Sequence, residues 1–494
     1  MTYTIEKVTT LIGARRYGDR DGNVGFILTD SRSLCFPEET LFFALKSERN
    51  DGHNYIPELS RRGVRNFVVS QVPKGYASDY PEANFLKVVN TLEALQRLAE
   101  RHRDEFNIPI VGITGSNGKT MVKEWLHQLL SPSMFVTRSP RSYNSQIGVP
   151  LSVWLLNEQT QVGVFEAGIS QPGEMLALRD IIQPTIAVLT YLGAAHQENF
   201  ESLEAKCREK IILFHDADTI VYNGDDKTVS GVVNEYKDYK GEKLFWSFRD
   251  TKAPFFVKNV EKKGNLSIIT YIYKGEEDSY SLPFIDEASV TNSIIAAVVS
   301  RRLGLSAEEL DKRMALLEPV AMRLEVKEGQ HGCTLINDSY NSDINSLDIA
   351  LDFMSRRPDH KGRRHTLILS DIFQSGESAK DLYHEVSDLC RKRGVVKFIG
   401  IGPQLCSQSD EIQISEKFFF SNVEEFIDSE VFKSLRDEVI LLKGARQFGF
   451  DQLTELLVRK VHETTLEVNL NAVVANLNYY RSFMKPETKL VCMI

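Results

Sequence analysis

Short apolar runs alternate with helical patterns along most of the chain. Runs at Thr40–Leu45, Asn66–Val69 and Phe85–Val89, followed by a helical pattern from Thr91 to Arg103, predict a first α/β unit over residues 1–106. Pro109 opens a second unit, 107–318, with strand-like runs at Ile110–Thr114, Val162–Glu166, Thr185–Leu189 and Thr219–Tyr222. A helix over Val290–Leu303 leads to Pro319, a hinge position. A third unit, 319–462, repeats the alternation at Cys333–Ile336, His365–Leu369, Val396–Ile401 and Val439–Leu442, and ends in a helix from Phe450 to Val461. Strands alternating with helices predict parallel or mixed sheets, an α/β chain. The tail, 463–494, starts the pattern again with a strand at Leu466–Leu470, a helix over Ala472–Met484 and a strand at Lys489–Met493.

Composition narrows the class. Hydrophobic residues make up 42% and charged residues 26%, ordinary for a globular protein. A formal net charge of -9, from 59 basic and 68 acidic residues, argues against nonspecific nucleic-acid binding. The cysteines (Cys35, Cys207, Cys333, Cys390, Cys406 and Cys492) form no C-x-x-C pair, as expected of reduced thiols. The N-terminus lacks the layout of a signal peptide, and no apolar run reaches the length of a membrane span. The expectation is a cytoplasmic protein.

The most informative stretch is Ile110–Thr120, IVGITGSNGKT. A buried strand runs into Gly115-Ser116-Asn117-Gly118-Lys119-Thr120, and a helical pattern with Val122, Trp125, Leu126, Leu129 and Leu130 follows. A strand, a glycine turn and a helix N-terminus together make an anion site. Lys119 would reach the outer phosphates of a nucleotide, and Thr120 would place its hydroxyl on Mg²⁺. Ile113 stands where the full G-x-x-x-x-G-K-[ST] pattern wants glycine, leaving the shorter G-x-x-G-K-T.

Further candidates follow at strand ends. Glu166 ends one strand and His196 follows another, where ligand sites of open α/β sheets lie. Both could meet a metal bound at the phosphates. Lys210 sits in a charged helical stretch that composition alone reads as a solvated face. The polar loop Asn337–Asp343 could hold a ribose through a carboxylate or be only a turn. Leu441–Arg446 feeds cations into a turn that could take a carboxylate or phosphate.

In this order the motifs resemble the Mur ligases, ATP-dependent amide-bond-forming enzymes of peptidoglycan synthesis, and within them the MurF type. The resemblance spans residues 1 to about 460. It implies a three-domain architecture: a UDP-sugar-binding domain, a central P-loop ATP-binding domain and a Rossmann-like C-terminal domain. Asp30-Ser31-Arg32, Leu41–Lys46 and Asp51-Gly52-His53 are similar to the family's UDP-sugar module, with Ser31, Arg32 and Lys46 as substrate contacts. TGSNGKT at 114–120 is the family's form of the phosphate loop. Tyr143–Pro150 resembles a substrate-side loop, which gives Asn144 its role.

The likeness extends to the metal and nucleotide groups. Glu166-Ala167-Gly168 resembles the Mg²⁺ glutamate segment, His196 matches a metal histidine, and Lys210 falls where the family has a carbamylated lysine, with Lys206 as the fallback. Asn292 matches an adenine-contacting asparagine, and Asp338-Ser339-Tyr340-Asn341 the MurF form of the third-domain nucleotide loop. Arg323 would lie near the phosphates, and Arg446 on the substrate side. The chain departs from the family pattern at Ser145-Gln146, Thr190-Tyr191, Met322 and Asp343-Ile344.

The activity implied is ATP-dependent joining of D-alanyl-D-alanine to UDP-N-acetylmuramoyl-tripeptide through an acyl phosphate. Lys119, Glu166, His196 and Lys210 would be catalytic, and Thr120, Glu166, His196 and Lys210 would hold metal. The alternatives are a Mur-type ligase for another amino acid and a noncatalytic nucleotide-binding module fused to a racemase. The tail resembles the start of an alanine racemase in Leu466–Ala472, Asn476-Leu477 and Lys489–Ile494. This implies a natural ligase–racemase fusion, with no pyridoxal phosphate on this chain because the family's cofactor lysine comes after the second strand.

Overall fold

The computed structural model describes residues 2–459, apart from 48–49, 194–198, 237–238, 319, 321–324, 340–343, 357–361, 373–377 and 446–447. The hinge proline at 319 and the whole tail, 463–494, fall outside these residues. Among the described residues the chain divides into two compact units: Met1–Asn107 with Gln146–Glu158, and Ile108–Ser145 with Gln159–Val461.

The first unit is built on five strands: β1 (Arg15–Tyr17), β2 (Phe26–Leu28), β3 (Thr40–Phe43), β4 (Asn66–Val69) and β5 (Asn84–Lys87). Their order is β1-β5-β4-β3-β2, and only β1 runs antiparallel to its neighbour. Helices α1 (Ile5–Ile12) and α2 (Thr91–Arg103) cover one face through Ile5, Val8, Leu95 and Leu98. The excursion 146–158 belongs to this unit. Trp154 joins its core and donates from Nε1 to the Gly25 carbonyl at 3.0 Å. Buried His102 lies between the Tyr3 hydroxyl (2.9 Å) and the Leu156 carbonyl (3.1 Å).

The second unit opens with a six-stranded parallel sheet. Its strands are β6 (Ile110–Thr114), β7 (Val136–Arg138), β8 (Val162–Glu166), β9 (Ile186–Leu189), β10 (Thr219–Val221) and β11 (Glu242–Lys243). The order β11-β10-β9-β6-β8-β7 puts β6 in the middle, where every residue is buried. That position explains its unbroken apolar sequence. The register sets Ile113 beside Glu166 and Thr114 beside Leu189, so the phosphate loop, Glu166 and the segment after β9 leave the sheet at one edge. Helices α3 (Lys119–Leu130), α4 (Glu174–Ile182) and α5 (Leu203–Ile211) follow β6, β8 and β9 in the chain.

Residues 246–282 form a four-stranded sheet that the apolar-run reading leaves blank: β12 (Trp246–Ser247), β13 (Phe255–Lys263), β14 (Leu266–Tyr273) and β15 (Glu276–Leu282). β13, β14 and β15 are antiparallel hairpins turning at Gly264 and Gly275, both at positive φ. Only alternate residues such as Ile269, Tyr271 and Tyr273 are buried, so no continuous apolar run marks them. Helix α6 (Glu287–Arg302) begins three residues before the expected Val290 because Asp286 caps the Ser289 N–H at 2.8 Å. Its middle, Ser289 to Ser300, is buried apart from Thr291, as expected of a helix wedged in a core. One core joins Val111 and Ile113 on β6, Trp125 and Leu126 on α3, Ile294 and Val298 on α6, and Phe255 and Tyr271 on the hairpins. Truncating Trp125 in this core would cost about 3–5 kcal/mol.

The C-terminal sheet has strands β16 (Glu325–Glu328), β17 (Thr334–Asn337), β18 (Arg364–Ser370), β19 (Lys397–Ile401), β20 (Glu416–Phe420) and β21 (Glu438–Lys443). Their order is β16-β17-β21-β18-β19-β20, parallel except for β16. The last strand thus inserts between β17 and β18, and such a reversal of strand order creates a crevice at the carboxyl ends. The final helix runs over Phe450–Leu457 and stops short of the expected Val461, because Val458 turns extended and bridges to Gly329.

Candidate functional site

The loop between β6 and α3 requires glycine at both ends. Gly115 (φ 145°) and Gly118 (φ 89°) have backbones that side-chain-bearing residues rarely adopt. A Cβ on Gly115 would lie 2.1 Å from Thr190 Oγ1, and one on Gly118 would lie 2.4 Å from Asn292 Oδ1. Among the described residues no side chain caps the α3 N-terminus, so its amide dipole faces the loop. Thr190 braces the loop from β9, donating to the Asn117 carbonyl at 2.5 Å. Ser116 is held from the same side, its N–H donating to the Tyr191 carbonyl at 2.6 Å and its hydroxyl to that of Gly193 at 3.0 Å. The departure Thr190-Tyr191 therefore serves as loop support. Asn292, on α6, donates from Nδ2 to Met121 Sδ at 3.2 Å.

Three lysines surround this loop. Lys119 folds back and donates to the carbonyls of Gly115 (2.6 Å) and Ser116 (3.1 Å). Lys210 reaches the same Gly115 carbonyl at 3.3 Å from α5. Lys206, one turn earlier, donates to the Gly193 carbonyl. Lys210 is fully buried, and its amine is held well below the usual lysine range, first by desolvation and then by the neighbouring charges of Lys119 and Lys206. The sequence alone read this lysine as solvated. The structure instead turns it into the sheet edge.

Beside the lysines lies an oxygen-rich pocket. Thr120 Oγ1 donates to Glu166 Oε2 at 3.1 Å and sits 3.2 Å from Ser142 Oγ. Asn144 Nδ2 approaches the same Glu166 oxygen at 3.4 Å. Glu166 is completely buried, and its second oxygen, Oε1, faces the buried ammonium of Lys123 at 3.1 Å. Both side-chain polar atoms of Asn117 are buried with no hydrogen-bond partner among the described residues. A hard cation favours such oxygen donors, and an orphaned buried amide suits a polar ligand, so the residues fit Mg²⁺ and a nucleotide phosphate.

In the C-terminal sheet, Asp338 follows β17 and pairs with Lys443 at the end of β21, Oδ2 to Nζ 2.5 Å. Asp371, just past β18, is buried and its carboxyl is raised by desolvation. It accepts the N–H groups of Gln404 (3.0 Å) and Leu405 (2.8 Å). In the first unit, Asp30 caps the Arg32 N–H and pairs with its guanidinium at 2.6 Å, beside Ser31. Lys46 is exposed, 3.8 Å from Asp51, which in turn holds His53 Nδ1 at 2.6 Å. His196, Arg323, Tyr340, Asn341 and Arg446 lie outside the described residues. Lys123, Ser142 and Thr190 were not anticipated as site residues. For Lys123 a signal existed: it shares the buried face of α3 with Leu126 and Leu130 by helical spacing.

A phosphate loop, an acidic strand end and a lysine-bearing helix gathered at the edge of one parallel sheet have counterparts among known proteins. Residues 113–300 match the Mur ligase middle domain. MurF from Acinetobacter baumannii superposes with a TM-score of 0.79 at 22% identity, covering 92% of this chain and 99% of that one. This is the Mur ligase fold. A MurF ligase from Thermotoga maritima, solved in complex with ADP, shares the Mur ligase fold with a TM-score of 0.72 at 22% identity, over 90% of this chain and 97% of its own. In sequence the chain is 28% identical over 368 residues to the UDP-N-acetylmuramoyl-tripeptide--D-alanyl-D-alanine ligase of Bacillus subtilis (strain 168), 73% of this chain and 76% of that protein. Among the described residues no helix is long and apolar enough to cross a membrane.

Proposed function

We propose that the chain is an ATP-dependent ligase joining D-alanyl-D-alanine to UDP-N-acetylmuramoyl-tripeptide in peptidoglycan precursor synthesis. The observation that carries this reading is the convergence of Lys119, Lys210, Thr120 and Glu166 around the loop between β6 and α3. In the first step the terminal carboxylate of the tripeptide attacks the γ-phosphorus of ATP, and ADP leaves. In the second the dipeptide amine attacks the acyl-phosphate carbonyl, inorganic phosphate leaves, and the amine gives up a proton as the amide forms.

The residues serve these steps by position and charge. The loop N–H groups and the α3 dipole take the phosphates, and a phosphate seated there competes with the Gly115 and Ser116 carbonyls for Lys119. Mg²⁺, when bound through Thr120 and Glu166, neutralises phosphate charge and orients the γ-phosphoryl group. His196 would hold or orient a second metal. Lys210, whose proton is made easier to lose by burial and its cationic neighbours, would take up CO₂ as a carbamate with release of a proton, which converts a cation into an oxygen ligand. Asn292 takes the adenine, Asp338, Tyr340 and Asn341 the ribose side, and Arg323 the phosphates. Ser31, Arg32, Lys46, Asn144 and Arg446 serve the UDP-sugar peptide.

This assigns 1–106 to substrate, 107–318 to ATP and 319–462 to closure over the nucleotide, excluding water that would hydrolyse the acyl phosphate. For 463–494 the racemase-like reading rests on the sequence resemblance alone. The test measures ADP release with ATP, Mg²⁺ and UDP-N-acetylmuramoyl-tripeptide, with and without D-alanyl-D-alanine. Dipeptide-dependent release and a pentapeptide product by mass are expected. Release that ignores the dipeptide but follows another amine would replace the acceptor, and ATP binding with no acceptor-dependent release would overturn the enzyme reading.

A further inference from the structure

Lys123 sits one turn beyond Lys119 on α3 and is fully buried. Its ammonium lies 3.1 Å from Glu166 Oε1 and 3.0 Å from Glu124 Oε1, and it donates to the carbonyls of Ser139 (2.9 Å) and Arg141. Glu124 is itself shared with Arg138 at 2.9 Å. A buried lysine hydrogen-bonded to two carbonyls and flanked by two carboxylates is tightly placed, because removing any one leaves charge or a carbonyl desolvated. Its two sets of partners are distinct. One is the carboxylate that ends β8. The other is the 139–141 backbone, which leads into Ser142 and Asn144, and both of those side chains face the Thr120–Glu166 pair.

The geometry points to Lys123 as the positioning residue of the metal pocket, an inference that rests on the reading of Glu166 as a metal ligand. The charge of Lys123 beside Oε1, at 3.1 Å without a hydrogen bond, biases the carboxylate so that Oε2 faces Thr120 and Glu166 presents one oxygen rather than two. By holding the Ser139 and Arg141 carbonyls, it sets the loop that brings Ser142 and Asn144 to the same place. Arg141 adopts a positive φ of 48° here, a conformation a non-glycine residue keeps only when its surroundings hold it. The lysine acts through Glu166 and the loop, as outer partners of metal ligands do.

The test uses the full chain carrying Lys123→Met, Lys123→Gln or Glu166→Gln. Mn²⁺ binding in the presence of ADP is followed by electron paramagnetic resonance, and turnover is measured against Mg²⁺ concentration. Lys123→Met is expected to weaken Mn²⁺ binding about 10–100-fold, to raise the Mg²⁺ requirement by a similar factor and to leave the dipeptide KM unchanged. Lys123→Gln, which keeps a donor for the two carbonyls without the charge, falls between, and carries the test if the methionine variant does not fold. Wild-type Mn²⁺ affinity in both lysine variants, whatever their melting temperature, overturns the inference and leaves Lys123 a structural cation. Tighter binding overturns it as well, because the lysine would then merely oppose the metal. Glu166→Gln separates the two levels. If it loses Mn²⁺ affinity while the lysine variants do not, only the positioning role fails. If it binds Mn²⁺ like the wild type, the metal reading of Glu166 fails and takes this inference with it.

Discussion

The central and C-terminal sheets place polar side chains at the same kind of position, the carboxyl ends of parallel strands, but handle charge differently. At the C-terminal sheet Lys443 meets Asp338 at 2.5 Å, and the pair neutralises itself. At the central sheet Lys119 and Lys210 converge on a single carbonyl, that of Gly115, with Lys206 close enough to depress the Lys210 amine further. The charge of Lys119 and Lys206 beside a helix N-terminus suits a polyanion. A neutral ion pair at a strand-end crevice suits hydroxyl groups, which need acceptors and donors but no net charge. On the proposed reading, one fold principle would serve phosphates in one sheet and a ribose in the other.

Breaking the central half of this contrast has the largest expected effect. Lys119→Ala should abolish dipeptide-dependent ADP formation, a loss of about 1,000-fold or more, since on the proposed mechanism the cation would sit where charge develops on the transferred phosphoryl group. Turnover near the wild-type rate would sink the site assignment. Lys210→Ala should lower turnover by about 100-fold and recover part of it when short carboxylates such as acetate are added. Full activity, or impairment that no carboxylate relieves, would refute the carbamate role.

The C-terminal half should respond more mildly in activity. Asp338→Asn is expected to raise the KM for ATP about tenfold with little change in kcat, the effect of losing one charged hydrogen bond to a ligand. It also strands buried Lys443, so chemical denaturation should report a cost of about 3–5 kcal/mol. A kcat collapse instead would move Asp338 into the chemistry.

The smallest effect sharpens the charge argument itself. The unfolded chain keeps the Lys210 proton up to its usual 10.5, while the folded protein gives it up well below that. The unfolded state then binds more protons across that window, so stability rises as pH climbs towards 10.5 and falls as pH drops through the folded value. Lys210→Met should flatten this slope by at most about 1.4 kcal/mol per pH unit, read from urea midpoints across a pH series. An unchanged slope would mean that Lys210 keeps its proton in the fold.

Much of this was legible in the chain because it is local. The strand Ile110–Thr114, the two glycines and the start of α3 are contiguous, so an apolar run, a turn needing positive φ and a helical stripe name the phosphate loop without any long-range information. Glu166 at a strand end was legible by the same logic, and so was the alternation that makes the sheets parallel. The hairpins over 255–282 were not, since half-buried alternation with tyrosine and threonine carries no apolar run. The role of Lys210 was legible only through the family resemblance, and the burial of Lys123 only through its spacing from Leu126 and Leu130: on a helix a lysine reads as solvated, and packing decides whether it points outward.

The sequence by itself thus determined which segments are strands and helices around the loop, and where glycine had to stand, because those choices depend on neighbours a few residues away. The tertiary structure alone decided which charges meet. It brought Lys210 over 95 residues of chain to Gly115, Lys123 to Glu166, and Asp338 over 105 residues to Lys443. Strand order sets those distances, and the low polarity of the sheet edge makes them matter, since a charge buried there is tolerated only beside a partner or with its proton lost.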